Sequence, residues 1–346
     1  MLYLILVFAF LLAACAPATP VPTPTPAPTP TPRPIMFNEP SFVFQGQDPS
    51  VPIVTHDPSP KIQNFYINPG AVLFHGGKFH MFFNSFTAWP GVIRVGYMTS
   101  EDGYHWQMEQ DEPVFTTDQI PFGSGHADVS SALVMDDGTW VLYFHTISDG
   151  QIGRATAASP LGPWSVDTGP VLVSGPEGAW DNGGVYWPSV VRDDDGYRMY
   201  YGGKNSLGTA IGLATSPDGI TWTKYNDPGT SDALYTESDP VLNADSDWEL
   251  SKVDRPRVTS SPDGWVMIYQ GGPIEKRGLA LSEDGIMWKT YPSNPIFTTE
   301  SFPIRRAKTW DTNLLFKDGV YFYFMELGTL NGTDLYLTTH EGALRQ

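Results

Sequence analysis

A short turn sequence repeats along the chain and constrains its fold more than any other feature. "TSEDGYHW" at 99–106 returns as "TSPDGITW" at 215–222 and "LSEDGIMW" at 281–288, and a worn copy, "ASPLGPW", lies at 158–164. Each copy follows an apolar strand, a Gly-Gly or Asp-Gly turn, an aromatic strand and a short third strand. Asp-Gly between apolar runs is a strong hairpin signal. The chain therefore repeats one antiparallel unit.

The number of repeats predicts the architecture. The first hairpin turn occurs five times, at Gly76-Gly77, Asp137-Gly138, Asp195-Gly196, Asp263-Gly264 and Asp318-Gly319. The second turn uses Gly103, Gly162, Gly219, Gly285 and, in decayed form, Gly342. Units of about four strands at such a period are typical of propeller blades. We predict an all-β fold over residues 35–346, a five-bladed β-propeller of four-stranded antiparallel blades, with the turn tryptophans packed between blades.

The ring also needs closing. The chain stops at Gln346, just past the fifth turn and before a last outer strand. An unpaired strand edge invites aggregation. The β-prone segment "PSFVFQG", Pro40 to Gly46, is therefore predicted to complete the last blade.

The first residues have the pattern of an export signal. Residues 1–14 are almost wholly apolar, too short for a bilayer span of ~20 residues but long enough for a signal-peptide core. "LAAC" at 12–15 resembles a bacterial lipobox, which implies that Cys15, the only cysteine, is lipidated. Residues 16–34 are rich in Pro and Thr and predict an extended polyproline stalk. We expect a monomer outside the cytoplasm, lipid-anchored to the cell membrane or cell surface. An ordinary secretory signal is the alternative.

The net charge of the chain argues against some classes of binding partner. The formal net charge of −18 argues against nucleic acids and polyanionic glycans, which bind to basic surfaces. The sequence has neither a Gly-rich phosphate loop nor a Cys/His zinc pattern, so we expect no cofactor and no metal. Neutral carbohydrate is the expected partner, and the membrane is contacted only through the lipid anchor.

Five blades with these turns resemble the five-bladed propeller glycoside hydrolases of families 43, 32, 62, 130 and their relatives. The resemblance implies a substrate over the central channel and acids on the innermost strands of different blades. The chain departs from family 43 at two of its motifs, where Asn68-Pro69 and Trp187-Pro188-Ser189 replace its Asp-Pro dipeptides. At a third position Asp254 keeps an acid. The acids of that family therefore cannot be transferred as a set.

The innermost strands can be aligned on the first hairpin glycine, and their starts should converge at one mouth of the channel. These starts carry Asn68, Asp128, Trp187, Asp254, Arg255 and Asp311. Glycoside hydrolysis needs two carboxylates, one protonated and one ionised. We predict Asp128 and Asp254 as this pair. The positive charge of Arg255 and Arg257 favours Asp254 as the ionised member.

Further side chains are candidates for the acid or for substrate contacts. Glu177 and Asp181, on the loop before blade three, are predicted to lie on the rim of the pocket as catalytic acids, ahead of Glu326 and His126. Aromatic faces stack on sugar rings, which suggests Trp187, Trp310 and Trp89. The predicted substrate-binding residues are Asn68, His126, Trp187, Arg255, Trp310 and Asp311.

Three functions stay open at this stage. A surface-anchored glycoside hydrolase leads. A non-catalytic glycan-binding propeller is favoured by the missing family acids. A phosphorylase like those of family 130 would need basic groups for phosphate, and Arg305, Arg306 and Lys308 precede blade five.

Overall fold

The computed structural model describes residues 34–346, apart from 60, 63–64, 90, 124–125, 273–275 and 330–331. The predicted signal, Cys15 and nearly all of the predicted stalk lie outside these residues. Within the described part of the chain, no helix has the length and apolar character needed to cross a bilayer.

The strands form five antiparallel sheets, one for each blade. In each sheet four strands lie side by side, and the sheets of blades one and three each include a fifth short strand. A first strand, β1 (Val43–Phe44), precedes them. The sheet of blade one contains β2 (Tyr66–His75), β3 (Lys78–Phe86), β4 (Arg94–Ser100), β5 (Gln107–Met108) and β6 (Phe115–Thr116). Blade two contains β7 (Ala127–Val134), β8 (Trp140–Thr146), β9 (Ile152–Ala157) and β10 (Ser165–Val166). The five-bladed all-β prediction is confirmed.

The remaining blades repeat this order. Blade three contains β11 (Val185–Asp193), β12 (Gly196–Lys204), β13 (Thr209–Ser216), β14 (Thr223–Lys224) and β15 (Pro240–Leu242). Blade four contains β16 (Val253–Ser261), β17 (Gly264–Gly271), β18 (Arg277–Ser282) and β19 (Lys289–Thr290). Blade five contains β20 (Thr312–Lys317), β21 (Val320–Thr329) and β22 (Gly332–Glu341). Short 3-10 turns lie at Thr117–Gln119, Ala233–Tyr235, Asp247–Glu249 and Thr299–Ser301.

The first strand closes the ring. β1 pairs antiparallel with β22, Val43 opposite Thr339 and Phe44 opposite Thr338. It supplies the fourth strand of blade five, where the chain itself ends. The predicted closure is confirmed, although the paired part is shorter than Pro40–Gly46.

The repeated turn is built from its own side chains. Asp102 Oδ1 accepts hydrogen bonds from the backbone N–H groups of Tyr104 and His105, each at 2.8 Å. Ser100 Oγ accepts from the N–H of Gly103 at 2.9 Å. The same bonds recur in the copies at 216–221 and 282–287. The turn is therefore structural.

The turn tryptophans join the blades. Each indole packs against an aromatic ring of the preceding blade, with centroids 5.6–5.9 Å apart in the pairs Trp106–Phe324, Trp164–Phe82, Trp222–Tyr143 and Trp288–Tyr200. Edge-to-face aromatic contacts at this distance are favourable beyond the area that they bury. The predicted packing between blades is confirmed.

Candidate functional site

The innermost strands begin at one mouth of the channel, and the residues at their starts form a first ring. Their pairing with the second strands places a second ring of residues beside it. The second strand of each blade returns to the same mouth. The residues opposite the predicted strand starts lie there, in the pairs Asn68–Asn84, Asp128–His145 and Asp254–Gln270 and in the Asp311–Glu326 contact of blade five. In blade three, Gly202 pairs with Tyr186, the residue before Trp187.

Bulges interrupt the strand ladders at this mouth. The ladder between first and second strands skips two residues in blade three, between Tyr186 and Ser189, and two in blade four, between Asp254 and Arg257. The first skipped residue is in the left-handed region in both blades, Trp187 with φ 52° and Arg255 with φ 48°. Non-glycine residues pay for this conformation, and such strain is common at functional sites. The two bulges bring the two side chains together.

Arg255 connects three blades. Its Cζ lies 4.2 Å from the ring centroid of Trp187. Its Nη1 donates to Gln270 Oε1 at 3.2 Å and lies 3.7 Å from Asp254 Oδ1, and its Nε donates to Asp311 Oδ1 at 3.4 Å. The guanidinium is thus the central cation of the mouth.

Arg257 lies deeper, in the channel itself. Its Nε donates to the carbonyl of Thr312, and its Nη1 lies 3.5 Å from the carbonyl oxygens of Ser130 and Pro188. These carbonyls belong to blades five, two and three. Arg257 Nη2 also lies 3.6 Å from Asp311 Oδ1. The expectation that Arg257 supports Asp254 is therefore corrected, because the bulge turns the arginine towards the channel axis and Asp311.

The carboxyl groups of the mouth differ in the direction in which the protein shifts their pKa values. Burial raises the pKa of Asp128 well above its ordinary value, and the charges of Asp311 and Glu326 raise it further. Burial also raises the pKa of Glu326, to about 8, with help from Asp311. Burial of Asp311 acts in the same direction, but Arg255 and Arg257 outweigh it and lower the pKa of Asp311. Burial thus favours the protonated form of Asp128, and the two arginines favour the ionised form of Asp311.

Two carboxylate oxygens at the mouth lack hydrogen bonds. Among the described residues, the buried carboxylate oxygens without a hydrogen-bond partner are Asp128 Oδ1 and Asp254 Oδ1. The other oxygen of Asp254 lies 3.4 Å from Lys252 Nζ. A buried polar atom without a partner is costly, and a native structure rarely leaves one without reason. Asp254 Oδ1 still has the charge of Arg255 nearby, at 3.7 Å from Nη1.

The remaining predicted binding residues differ in their burial and hydrogen bonding. Asn68 is buried, and its Oδ1 accepts from Asn84 Nδ2 at 2.8 Å and from the N–H of Gly70 at 3.0 Å. His126 has a buried Nδ1 without a hydrogen bond. Trp310 is half-buried, and its carbonyl accepts from Arg277 Nη2 at 2.9 Å. Trp89 is 52% exposed.

The two rim acids are placed differently. Glu177 is exposed and makes no hydrogen bond or ion pair with the described residues. Asp181 is fully buried, is paired with Lys224, and accepts a hydrogen bond from the N–H of Gly175 at 3.1 Å. A buried carboxylate needs such partners to offset its desolvation. Neither residue is retained in the proposed site.

Sequence reasoning missed the second ring. His145, Gln270 and Arg277 are buried at the mouth, and Glu326 was ranked low. Burial holds the pKa of His145 at about 3, so its imidazole is neutral near pH 7. The signal was present for His145, Gln270 and Glu326, since counting outward from each hairpin turn along both strands leads to them, whereas Arg277 lies on the third strand, β18. No group of three or more His, Cys, Asp or Glu side chains in the described residues is arranged to hold a metal ion.

Comparison with known proteins adds a family. Residues 60–238, just over half of the chain, match the family described as "Glycosyl hydrolases family 32 N-terminal domain". No curated protein shows a significant sequence match to the chain.

Solved structures share the fold. A glycosyl hydrolase from Bacteroides ovatus is 16% identical, with a TM-score of 0.63 and coverage of 90% of this chain and 97% of the other. A structure described under family 130 glycoside hydrolases that target β-1,2 mannosidic linkages in Candida mannan is 17% identical, with a TM-score of 0.62 and coverage of 90% and 97%. A thermostable family-43 glycoside hydrolase is 17% identical, with a TM-score of 0.57 and coverage of 79% and 88%. At such identities the likeness shows the fold alone.

Proposed function

The chain belongs to the family of the glycosyl hydrolase family 32 N-terminal domain, and from this premise we propose that it is a glycoside hydrolase acting on neutral oligo- or polysaccharides at the channel mouth. The family and the fold support a function on glycans. The net charge of −18 supports neutral sugars over polyanions.

One observation assigns the proposed activity to particular residues. Asp128 and Asp254 lie on blades two and four, and each has a buried carboxylate oxygen without a hydrogen bond in the described part of the chain. A sugar offers hydroxyl groups and a glycosidic oxygen that would pair with both. Other buried carboxylates, such as Asp181, are satisfied by the protein. The unpaired oxygens therefore favour these two residues as the reacting pair.

The electrostatics suggest a division of roles. Burial raises the pKa of Asp128 and favours its protonated form, so we assign Asp128 as the acid that donates a proton to the leaving glycosidic oxygen. Asp254, beside Lys252 and Arg255, is the carboxylate that receives a proton from water or contacts the sugar. Arg255 and Trp187 position the sugar.

A second candidate, a glycan-binding propeller without turnover, is favoured by burial. Asp128 is 2% exposed and Asp254 is 1% exposed, which restricts access to a reacting bond. A phosphorylase is the third possibility. Arg305 and Arg306 are exposed on the loop before blade five, three to six residues ahead of the Thr309–Asp311 segment.

A single screen separates these functions. The full chain is incubated with aryl glycosides and neutral plant polysaccharides, with and without phosphate, and released sugar is measured. Asp128→Asn and Asp254→Asn should each lower turnover by about 10²-fold or more. Glu101→Gln, a matched change in a surface ion pair with Lys78, should leave turnover unchanged.

Each other outcome has a meaning. Equal turnover in wild type and both Asn variants contradicts the assigned pair. Turnover that requires phosphate identifies a phosphorylase. Sugar binding at the mouth without turnover on any substrate identifies the binding module.

Placement is part of the proposal. We propose that Cys15 carries a lipid and that residues 16–34 hold the propeller away from a membrane, outside the cytoplasm. The apolar run and the "LAAC" sequence support this location.

A further inference from the structure

A second concave site lies on the same face as the mouth, between blades three and four. Its volume is about 190 Å³. It is bounded by the loop that follows β12, by the 3-10 turn at Ala233–Tyr235 and by the segment that leads into β16. Asp128, Asp254 and Asp311, which lie at the mouth, do not line this second site.

The walls are held by close backbone contacts. Gly208 has φ 157°, and a Cβ on it would lie 2.2 Å from the carbonyl oxygen of Ser251. Only glycine lets the two loops approach in this way. On the opposing loop, Leu250 (φ 51°) and Ser251 (φ 60°) are both left-handed. Two successive strained residues persist only where the surroundings determine them, so the cleft is a built feature of the fold.

The cleft contains polar groups without partners. Thr209 Oγ1 is buried and has no hydrogen bond. Asn205 Oδ1 accepts from the N–H groups of Leu207 and Gly208, at 2.8 and 3.2 Å, which leaves its Nδ2 for a ligand. The Asn243 amide and the Tyr235 hydroxyl, which also line the cleft, make no hydrogen bond with the described residues. These groups supply both donors and acceptors.

The lining carries no charge. Apart from Ser251 and the polar groups above, it is formed by glycine and by apolar and aromatic side chains, among them Trp180, Leu207 and Leu234. An anion would find no cation there, and a metal ion would find no carboxylate or imidazole. Uncharged hydroxyl and amide groups beside apolar surface match a sugar ring, which presents hydroxyls at its edge and C–H groups on its faces.

We propose that this cleft binds one neutral sugar residue, separately from the channel mouth. Its volume is below the roughly 300–1,000 Å³ of sites for drug-sized ligands, which suits a single ring. Binding here does not require hydrolysis at the mouth, so this proposal stands or falls independently of the catalytic one.

The test uses the full chain and methyl glycosides of arabinose, xylose, mannose and fructose, with binding followed by saturation-transfer NMR. At least one glycoside should bind to the wild type. Thr209→Val and Asn243→Ala should each weaken that binding about fivefold, because each removes a hydrogen-bonding group. Trp187→Ala, which alters the mouth, should leave binding at the cleft in place.

Folding is controlled by two further measurements. Thr223→Val, an equivalent change at an exposed position of β14, should not affect binding. Thr209→Val should fold with an unchanged or higher melting temperature, because the hydroxyl that it removes has no partner in the free protein. The proposal is overturned if no glycoside binds, or if binding is equal in wild type, Thr209→Val and Asn243→Ala.

Discussion

The guanidinium of Arg255 lies over the indole ring of Trp187, 4.2 Å from Cζ to the ring centroid, and both residues have left-handed backbones. Neither conformation is expected from sequence. The stacked pair crosses from blade three to blade four and places the cation between Asp254 and Asp311. The arrangement of the mouth depends on this contact.

Gly202 makes room for that pair. A Cβ on Gly202 would lie 3.0 Å from Trp187 Cε3 and 3.3 Å from Asp254 Cβ. Gly202→Ala should therefore displace Trp187 and weaken sugar binding at the mouth about tenfold, or ~1.4 kcal/mol, as measured by calorimetry. Gly169→Ala, where the added Cβ meets nothing within 4 Å, is the control and should bind as the wild type does. Equal affinity in both variants would mean that Trp187 does not contact the sugar.

Substitution of the carboxyl group by an amide should affect the free energy of unfolding differently at Asp128 and at Asp311. Burial raises the pKa of Asp128 and disfavours its charged form, so Asp128→Asn should leave the free energy of unfolding unchanged or raise it. Asp311→Asn removes the counter-charge of Arg255 and Arg257 and should lower the free energy of unfolding by about 3–5 kcal/mol. Urea denaturation at pH 7 measures both. A large loss for Asp128→Asn would show that it is ionised in the fold.

Glu326 should make stability fall with rising pH. Its folded pKa of about 8 lies above the ordinary 4.5 because of burial. Between these values the folded protein holds a proton that the unfolded chain has released, so its stabilising contribution is complete below pH 4.5 and is lost as pH rises through 8. The slope is at most roughly 1.4 kcal/mol per pH unit. Glu326→Gln should flatten urea-denaturation free energies across pH 5–8, and an unaltered slope in this variant would contradict the raised pKa.

Cys15 should decide the cellular placement. Cys15→Ser should release the full chain from the membrane fraction, because the acceptor of the predicted lipid is then absent. Fractionation and immunoblotting of cells that express each form measure this. Retention of the variant in the membrane would exclude the lipid anchor as the means of attachment.

The sequence by itself determined the blades. The turn at Ser100, Asp102 and Gly103 is held by hydrogen bonds between residues two or three positions apart in the chain. Its pattern can therefore be recognised from the sequence alone. The same holds for the Gly-Gly and Asp-Gly hairpins. Counting these local signals predicted five blades, and the unmatched last edge predicted closure by the segment that contains Val43 and Phe44. Alignment on the hairpins also nominated Asp128, Asp254 and Asp311.

Only the tertiary structure decided which of the acids have partners. Asp181 is paired with Lys224, 43 positions along the chain, and Asp311 is paired with arginines 54 and 56 positions away. Arg255, one of these arginines, lies within a bulge, where the strand ladder is interrupted between Asp254 and Arg257. The cleft at Thr209 likewise forms where Gly208 meets Ser251. Protonation and hydrogen bonding depend on distances across blades, which local patterns do not encode, because the charge and burial around a group come from residues remote in sequence.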